Sequence, residues 1–277
     1  MVGINTPFAR RVEITAANSA PPQIVEHRVL DPKLSPCVRA GSCALAVMTK
    51  APRAGKVKTR LVPPLTPEEA AALNICFLRD ITAAIEKATQ GGNALGVAVF
   101  TPVGAEISYR GILPDDFFLV PQRGEAFGER LFFATEDLLR LGFQSVCLIN
   151  SDSPTVPPKV FVEAAQVLAN SGDRVVLGPS DDGGYYLIGL KQSHPRMFEE
   201  IDWSTEKVLK QTMDRAAEID LDVHILPTWF DVDDRVTLQR LCESLLNPVF
   251  DESAPATKRF LQELVAREER HRIWPNK

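Results

Sequence analysis

A dense cluster of cationic side chains follows the first apolar segment of the sequence. Five basic residues fall within eleven positions, accompanied by one glycine and one threonine: Lys50, Arg53, Lys56, Lys58 and Arg60, with Gly55 and Thr59. Lysine and arginine neutralise phosphate oxygens, and glycine lets the backbone approach a ligand closely. The spacing matches neither GxxxxGK(S/T) nor GxGxxG. We expect this loop to bind the phosphates of a nucleotide, with a solvated basic loop as the alternative.

Acidic side chains in two separate segments supply oxygen ligands for a cation. Asp152 stands directly after an apolar strand, and Asp231, Asp233 and Asp234 fall within four positions of one another. Carboxylates at the end of a buried strand suit a hard cation that also contacts phosphate. We expect Asp152 to bind Mg²⁺ or Mn²⁺, with Asp233 and Asp231 as further ligands. The alternatives are a turn closed by the side chain of Asp152 and a helix N-cap at Asp233 or Asp234.

Paired acids followed by paired glycines form a third candidate segment, Asp181-Asp182-Gly183-Gly184. A turn with positive φ would place a carboxylate and backbone N–H groups beside a ligand. Asp182 is then the expected base for an acceptor hydroxyl. A β-hairpin turn explains the same string equally well.

Two further segments are weaker candidates for substrate contacts. Residues 122–125 follow a strand and begin a helix, so Gln122 and Gly124 could contact a base or a sugar. Residues 202–205 offer a polar wall and the ring of Trp203, although Ser204 is also a natural helix N-cap.

These segments must be positioned by elements that alternate along the chain. Apolar runs predict strands at residues 43–49, 95–101, 117–120, 145–150, 174–178 and 185–190, with a short extended segment at 224–227. Periodicity and capping signals predict helices at 67–90, 125–141, 157–172, 204–217 and 233–246. This alternation predicts an α/β fold with three layers and a mostly parallel, Rossmann-like sheet. Ligands bind such sheets at the carboxyl ends of the strands.

Composition narrows the classes of protein. The net charge of −5 argues against nucleic-acid binding, and no apolar run approaches the ~18–20 residues of a membrane-spanning helix. The cysteines and histidines lack zinc-binding spacings, and five scattered cysteines fit buried thiols in the cytoplasm. Prolines interrupt residues 1–41, which we expect to form an irregular extension. Residues 42–277 are expected to form a single domain.

Five segments in this order resemble a bacterial family of nucleotide-diphospho-sugar transferase-like proteins, commonly named arsenosugar-biosynthesis glycosyltransferases. The segments are KAPRAGKVKTRL, NSDSP, GPSDDGGYYLIGL, DWST and WFDVDD, and the resemblance covers residues 44–246. It implies the glycosyltransferase-A fold, with a nucleotide and a divalent cation at the carboxyl edge of the sheet. It also implies that Lys58 and Arg60 contact phosphates, with Lys58 acting catalytically. Asp152 would bind the cation, with an acid of residues 231–233 as a second ligand.

The layout is also similar to that of nucleotidylyltransferases. Thr59-Arg60-Leu61 stands where their glycine-rich loop ends in Arg-Leu, and the lysines more closely resemble guanylyltransferases that activate phospholactate-like acids. Glycosyl transfer from a nucleotide sugar to a small-molecule acceptor is the leading prediction. Nucleotidylyl transfer from a nucleoside triphosphate to a small phosphorylated acceptor is the alternative that the charge of the basic loop favours. A catalytically degenerate nucleotide-binding module is the third possible function.

Overall fold

The computed structural model describes residues 26–34, 38, 41–246 and 253–267. Seven strands in these parts form one sheet: β1 (Cys43–Lys50), β2 (Ala94–Thr101), β3 (Phe118–Pro121), β4 (Ser145–Ile149), β5 (Arg174–Pro179), β6 (Tyr185–Leu190) and β7 (Asp222–Ile225). Their order is β3-β2-β1-β4-β6-β5-β7. Every neighbouring pair is parallel except the two pairs that include β6. As predicted, β1 and β4 are adjacent parallel strands at the centre of a mostly parallel sheet.

Helices cover both faces of the sheet and complete the predicted three layers. They are α1 (Pro67–Thr89), α2 (Phe127–Arg140), α3 (Pro158–Ala169), α4 (Val208–Glu218), α5 (Arg235–Leu246) and α6 (Pro255–Arg267). Helices α1 and α3 pack with one face of the sheet, while α2 and α4 pack with the other. A third apolar cluster joins α1 to α5 and α6.

Strand β1 shows why a central strand of this sheet is a continuous apolar run. Leu45 and Val47 point into the core beside α1 and α3, whereas Ala44 and Ala46 point into the core beside α2. Because successive side chains alternate between two buried faces, every position of the strand must be apolar. The same reason explains the apolar sequence of β4.

Capping determines where α1 begins. The Thr66 hydroxyl accepts a hydrogen bond from the backbone N–H of Glu69 at 3.1 Å, and the Glu69 carboxylate accepts one from the N–H of Thr66 at 2.9 Å. This is the predicted capping box, with Pro67 at the first helical position.

Two helices differ from the sequence prediction. Helix α4 begins at Val208 and not at Ser204, because Ser204 has a left-handed backbone with φ of 64° and Thr205 closes a turn onto the carbonyl of Asp202. Ser204 is therefore not the N-cap. Helix α6 was not predicted, and it packs against α1 through buried leucines such as Leu261.

Part of the predicted N-terminal extension pairs with the edge of the sheet. The N–H of Leu30 donates to the carbonyl of Leu119 at 2.8 Å, and the N–H of Leu119 donates to the carbonyl of Arg28 at 3.0 Å. The side chain of Leu30 is buried. The prediction for residues 1–25 lies outside the described residues. None of the helices in the described parts is long and apolar enough to span a membrane.

Candidate active site

One lysine ammonium joins three segments at the carboxyl edge of the sheet. The Nζ atom of Lys58 lies 2.7 Å from Oδ1 of Asp152 and 3.1 Å from Oδ1 of Asp233, and it donates to the carbonyl of Val232 at 2.7 Å. The loops after β1 and β4 thereby meet the segment that precedes α5. The predicted phosphate loop and the predicted cation ligands are in direct contact.

The position of Lys58 is fixed by its backbone and by its packing. Lys58 has a left-handed backbone with φ of 47° and is followed by a short 3₁₀ turn, Thr59–Leu61. Leu61 is fully buried in the core between α1 and α5. The Lys58 ammonium lies 5.3 Å from the ring centroid of Phe77, and its side chain is only 5% exposed. Such burial requires a paired charge, which the two carboxylates provide.

Arg60 extends the same cluster towards solvent. Its Nη2 atom donates to Oδ2 of Asp233 at 2.5 Å, although the side chain is 72% exposed. Because Asp233 contacts both cations, the two residues expected to bind phosphates share one counter-ion.

The turn after β4 is closed by Asn150, not by Asp152. The Oδ1 atom of Asn150 accepts from the backbone N–H of Asp152 at 3.2 Å. The Asp152 carboxylate instead points to Lys58 and accepts a 3.2 Å hydrogen bond from the hydroxyl of Ser151. The alternative that assigned turn formation to the Asp152 side chain therefore does not describe this loop.

Asp231 holds three loops together from within the protein. Its carboxylate accepts hydrogen bonds from Asn150 Nδ2 at 2.8 Å, from the Ser153 hydroxyl, and from the Ser180 hydroxyl at 3.1 Å. Burial raises the pKa of Asp231 to about 6, a rise that the hydrogen bonds from Ser153 and Asn150 oppose and that the charges of Asp152 and Asp182 increase. The side chain thus connects the end of β4 to the turn between β5 and β6.

The neighbouring acids have different partners. Asp234 immediately precedes α5, and its Oδ1 atom accepts from the N–H of Thr237 at 2.8 Å, as an N-cap does. Asp233 is left to pair with the two cations. Among the residues that the structure describes, no three histidine, cysteine, aspartate or glutamate side chains are grouped so that they could hold a metal by themselves. The proposed cation site stays a prediction.

The turn containing Asp182 joins the antiparallel strands β5 and β6, so it is a hairpin. The Asp182 Oδ1 atom accepts from the N–H of Gly184 at 2.9 Å. Gly183 has φ of 88°, and a Cβ atom there would lie 2.2 Å from the carbonyl oxygen of Glu206. Only glycine permits this close approach, which brings the hairpin against the segment before α4. The hairpin geometry and a place beside a cavity are compatible at Asp182.

A cavity of about 550 Å³ opens beside the Lys58 cluster. Five of the predicted site residues line it: Arg60, Asp152, Asp182, Asp231 and Asp233. Its other walls come from α2, β4, β6 and the segment that contains Trp203. The sheet edge therefore brings together residues that are far apart in the sequence.

Other predicted residues lie elsewhere along this edge. Gln122 lines a second cavity of about 600 Å³, bounded by residues 29–33 and α2. Gly124 has φ of 103°, and Arg123 beside it is bound to Glu136 and Asp137 of α2. Three other predicted site residues belong to the basic loop: Lys50 ends β1, Gly55 has φ of 71°, and Thr59 begins the 3₁₀ turn.

A solved structure decides the family. It is a protein from Desulfovibrio desulfuricans G20 that is provisionally described as a nucleotide-diphospho-sugar transferase. The two chains are 30% identical. The match covers 82% of this chain and 96% of that chain, with a TM-score of 0.72. The chain belongs to this family of nucleotide-diphospho-sugar transferase-like proteins. The sequence profile of a family described as "Uncharacterized protein conserved in bacteria (DUF2064)" matches residues 84–205. The fold and the transferase family predicted from the sequence are thus confirmed.

Other similarities are weaker. A cytidylyltransferase from Leptospira borgpetersenii is 12% identical, with 86% of this chain and 98% of that chain covered and a TM-score of 0.47. A CMP:2-keto-3-deoxy-manno-octonic acid synthetase complexed with CTP is 10% identical, with 72% and 96% covered and a TM-score of 0.46. No curated protein matched the chain.

In this transferase-like protein, sequence reasoning missed the residues that orient the site. Asn150, Ser153 and Ser180 all bind Asp231, but polar residues in loops carry no signal for a partner that lies far along the chain. Phe127 was interpreted only as part of a helix. It makes an edge-to-face contact with Trp203 at the cavity, with ring centroids 5.1 Å apart.

Proposed function

We propose that the protein is a metal-dependent glycosyltransferase that uses a nucleotide sugar. The observation that carries this proposal is the contact of Lys58 with both Asp152 and Asp233 beside an open cavity. A phosphate-binding cation and two carboxylates at one point are the parts that a leaving diphosphate needs. Membership of the nucleotide-diphospho-sugar transferase-like family supports the same reading.

The basic loop is assigned to the nucleotide phosphates. Lys58 and Arg60 would exchange their contact with Asp233 for phosphate oxygens. We assign Lys50, Gly55 and Thr59 of the same loop to the phosphates as well. Charged hydrogen bonds of this kind are shorter and stronger than neutral ones. We assign Gln122 and Gly124, which follow β3 on the same edge, to the base or its ribose.

The donor set near Lys58 suits a hard cation. Oxygen atoms of Asp152, Asp233 and the Val232 carbonyl all lie within 3.1 Å of a single positive group, so they already converge on a cation. Mg²⁺ is commonly held by one or two carboxylates together with substrate phosphates. Asp152 and Asp233 would hold Mg²⁺ or Mn²⁺ in this way, and the ion would neutralise charge on the leaving diphosphate. Asp231 is assigned to positioning, because its oxygens already accept three hydrogen bonds.

The charge at Lys58 and Arg60, unlike that of the whole basic loop, favours a diphosphate sugar over a triphosphate. Of the five basic residues in the loop, Lys58 and Arg60 are paired with Asp152 and Asp233, so the centre of the cluster is close to neutral. A triphosphate carries more negative charge and would need more free cations. Asp182 would take the proton from an acceptor hydroxyl as the new bond forms to the sugar carbon and the nucleoside diphosphate leaves.

The proposal is tested by identifying the leaving group. The protein is incubated with nucleotide sugars and, separately, with nucleoside triphosphates, with and without Mg²⁺ or Mn²⁺. Glycosyl transfer to an acceptor, or slow transfer to water, releases a nucleoside diphosphate, and this release should require the metal. Release of pyrophosphate with a phosphorylated acceptor would establish nucleotidylyl transfer instead.

A thermal-shift panel with the same compounds identifies the nucleotide. A ligand bound only by the native state at 100-fold its dissociation constant stabilises by about 2.7 kcal/mol. Strong stabilisation without turnover of any donor would indicate a binding module that has lost catalysis. We place the reaction in the cytoplasm, since the cysteines in the described parts are buried free thiols.

A further inference from the structure

The cavity beside Lys58 has an excess of negative charge. Its charged lining consists of five carboxylates and one guanidinium: Asp152, Asp182, Glu206, Asp231, Asp233 and Arg60. Arg60 already donates to Asp233, and the nearby Lys58 ammonium is shared by Asp152 and Asp233. A second phosphate group placed in the cavity would find no unpaired cation among these residues. It would also face the carboxylates of Asp182 and Glu206.

Aromatic residues also line the cavity. Phe127, at the start of α2, is 53% exposed and contacts the ring of Trp203 at an interplanar angle of 71°. A Cβ atom at Gly128 would lie 2.8 Å from Nε1 of Trp203, so glycine at this position lets the indole pack directly on α2. The two rings are therefore held in place as an apolar wall. Other apolar residues of the lining are Met48, Leu131, Ile188 and Val208.

Polar residues also line the cavity. They are Ser204, Thr205, Asp182 and Glu206. Carboxylates accept hydrogen bonds from hydroxyl groups, and aromatic faces pack against C–H groups. A ring that carries hydroxyls around its edge and C–H groups on its face satisfies both kinds of contact.

We propose that the cavity binds an uncharged polyhydroxyl compound of the sugar class as the acceptor, and not a phosphate ester. Its apolar face packs on Phe127 and Trp203, and its hydroxyls point to Asp182 and Glu206. This inference rests on the proposed function, because it names the second substrate of that site. The arrangement selects by charge as well as by shape, since a phosphate dianion is repelled by the acidic lining.

The test compares sugars with their own phosphate esters. Dissociation constants of D-glucose, D-ribose, D-glucose 6-phosphate and D-ribose 5-phosphate are measured by saturation-transfer NMR at low salt, without nucleotide and with a nucleoside diphosphate. We expect at least one sugar to bind about tenfold more tightly than its ester. Glu206→Lys should narrow this ratio by about tenfold, because it replaces a repulsive charge with an attractive one. Glu263 is an exposed residue of α6 outside the cavity lining, so Glu263→Gln is the control and should leave the ratio of dissociation constants unchanged.

A second variant tests the aromatic wall. Phe127→Ala should weaken binding of the sugar about fivefold and leave nucleotide binding unchanged. Met213 is an exposed apolar residue of α4 outside the cavity lining, so Met213→Ala should have no effect. Tighter binding of the esters, absence of binding by both sugars, or unchanged sugar affinity in Phe127→Ala would overturn the proposal. Sugar binding without stabilisation by any nucleotide would instead refute the proposed function and leave the cavity assignment standing.

Discussion

The ammonium of Lys58 lies 2.7 Å from the Asp152 carboxylate, and the two residues follow adjacent parallel strands, β1 and β4. The same ammonium lies 3.1 Å from Asp233. One buried cation is therefore shared by two carboxylates that are also the proposed ligands of a metal ion. Binding of phosphate by Lys58 and binding of a cation by the carboxylates are coupled, because a Lys58 ammonium that turns to phosphate releases the carboxylates of Asp152 and Asp233 for the cation.

Lys58→Met should raise the affinity for Mn²⁺ in the absence of nucleotide. Removal of the ammonium leaves Asp152 and Asp233 without their counter-ion, so a divalent cation gains about tenfold in affinity, or ~1.4 kcal/mol. Electron paramagnetic resonance of free Mn²⁺ measures this directly. Lys58→Arg keeps the charge and serves as the matched control. Equal Mn²⁺ affinity in the wild type and both variants would show that the lysine and the cation do not share these oxygens.

Arg60→Ala should weaken binding of the preferred nucleotide by about 1.5–3 kcal/mol, the usual worth of a charged hydrogen bond. The side chain is largely exposed, so the fold should be unaffected. Isothermal titration calorimetry gives the affinity. Arg259→Ala, at an exposed position of α6, is the control. An unchanged affinity in both Arg60→Ala and Lys58→Ala would leave only a solvated basic loop.

Asp152→Asn should abolish metal-dependent turnover with little change in melting temperature. The turn after β4 is closed by Asn150, so its shape does not depend on the charge at Asp152. Turnover is measured as release of the nucleoside diphosphate over a range of Mg²⁺ concentrations. A variant with near wild-type turnover and metal response would exclude Asp152 as a ligand. Asp233→Asn should show a parallel loss of metal response.

Asp231 should make a pH-dependent contribution to stability between pH 4 and pH 6. Burial raises its pKa from an ordinary 3.8 to about 6, so the folded protein binds the proton more tightly than the unfolded chain. The contribution to the free energy of unfolding is roughly 2–3 kcal/mol. It is fully present below about pH 4 and is lost as the pH rises through 6. Urea unfolding measured from pH 4 to pH 7 reports the free energy of unfolding.

The comparison that isolates this effect uses Asp231→Asn, which cannot titrate. The stability of the wild type relative to this variant should fall as the pH rises from 4 to 6. Asp115→Asn, at an exposed position, should leave the slope of the wild type unchanged. A constant difference between the wild type and Asp231→Asn across this range would contradict the raised pKa.

Asp80→Ala should destabilise the protein by detaching α6. The two oxygens of this buried carboxylate accept hydrogen bonds from the N–H groups of Ala256 at 2.9 Å and Thr257 at 2.8 Å, in the first turn of α6. Loss of such a cap and of both acceptors should lower the free energy of unfolding by about 1–3 kcal/mol, as measured in urea. Glu86→Ala, on the exposed face of α1, is the control. No difference between the two variants would refute this role.

The sequence by itself determined the layered fold and the order of most elements. The apolar run of β1 predicts a strand buried on both faces, and the Thr66–Glu69 box predicts the start of α1, because these signals depend on neighbouring residues alone. The position of Asp152 just after β4 likewise followed from the strand before it. These features are local, so a single sequence contains them.

Only the tertiary structure decided which side chains meet. A buried apolar strand has the same sequence pattern in either direction, and the Asp-Gly turn before β6 left a hairpin and a ligand-binding turn equally open, so the sequence alone did not decide the antiparallel course of β6. Asp231 and Asp233 stand two positions apart. Asp231 is buried and accepts hydrogen bonds from three residues of two other loops, whereas Asp233 pairs with Lys58 and Arg60. Their difference depends on which distant segments pack around each carboxylate. Packing over such separations sets burial, charge pairing and the pKa, and no local pattern encodes it.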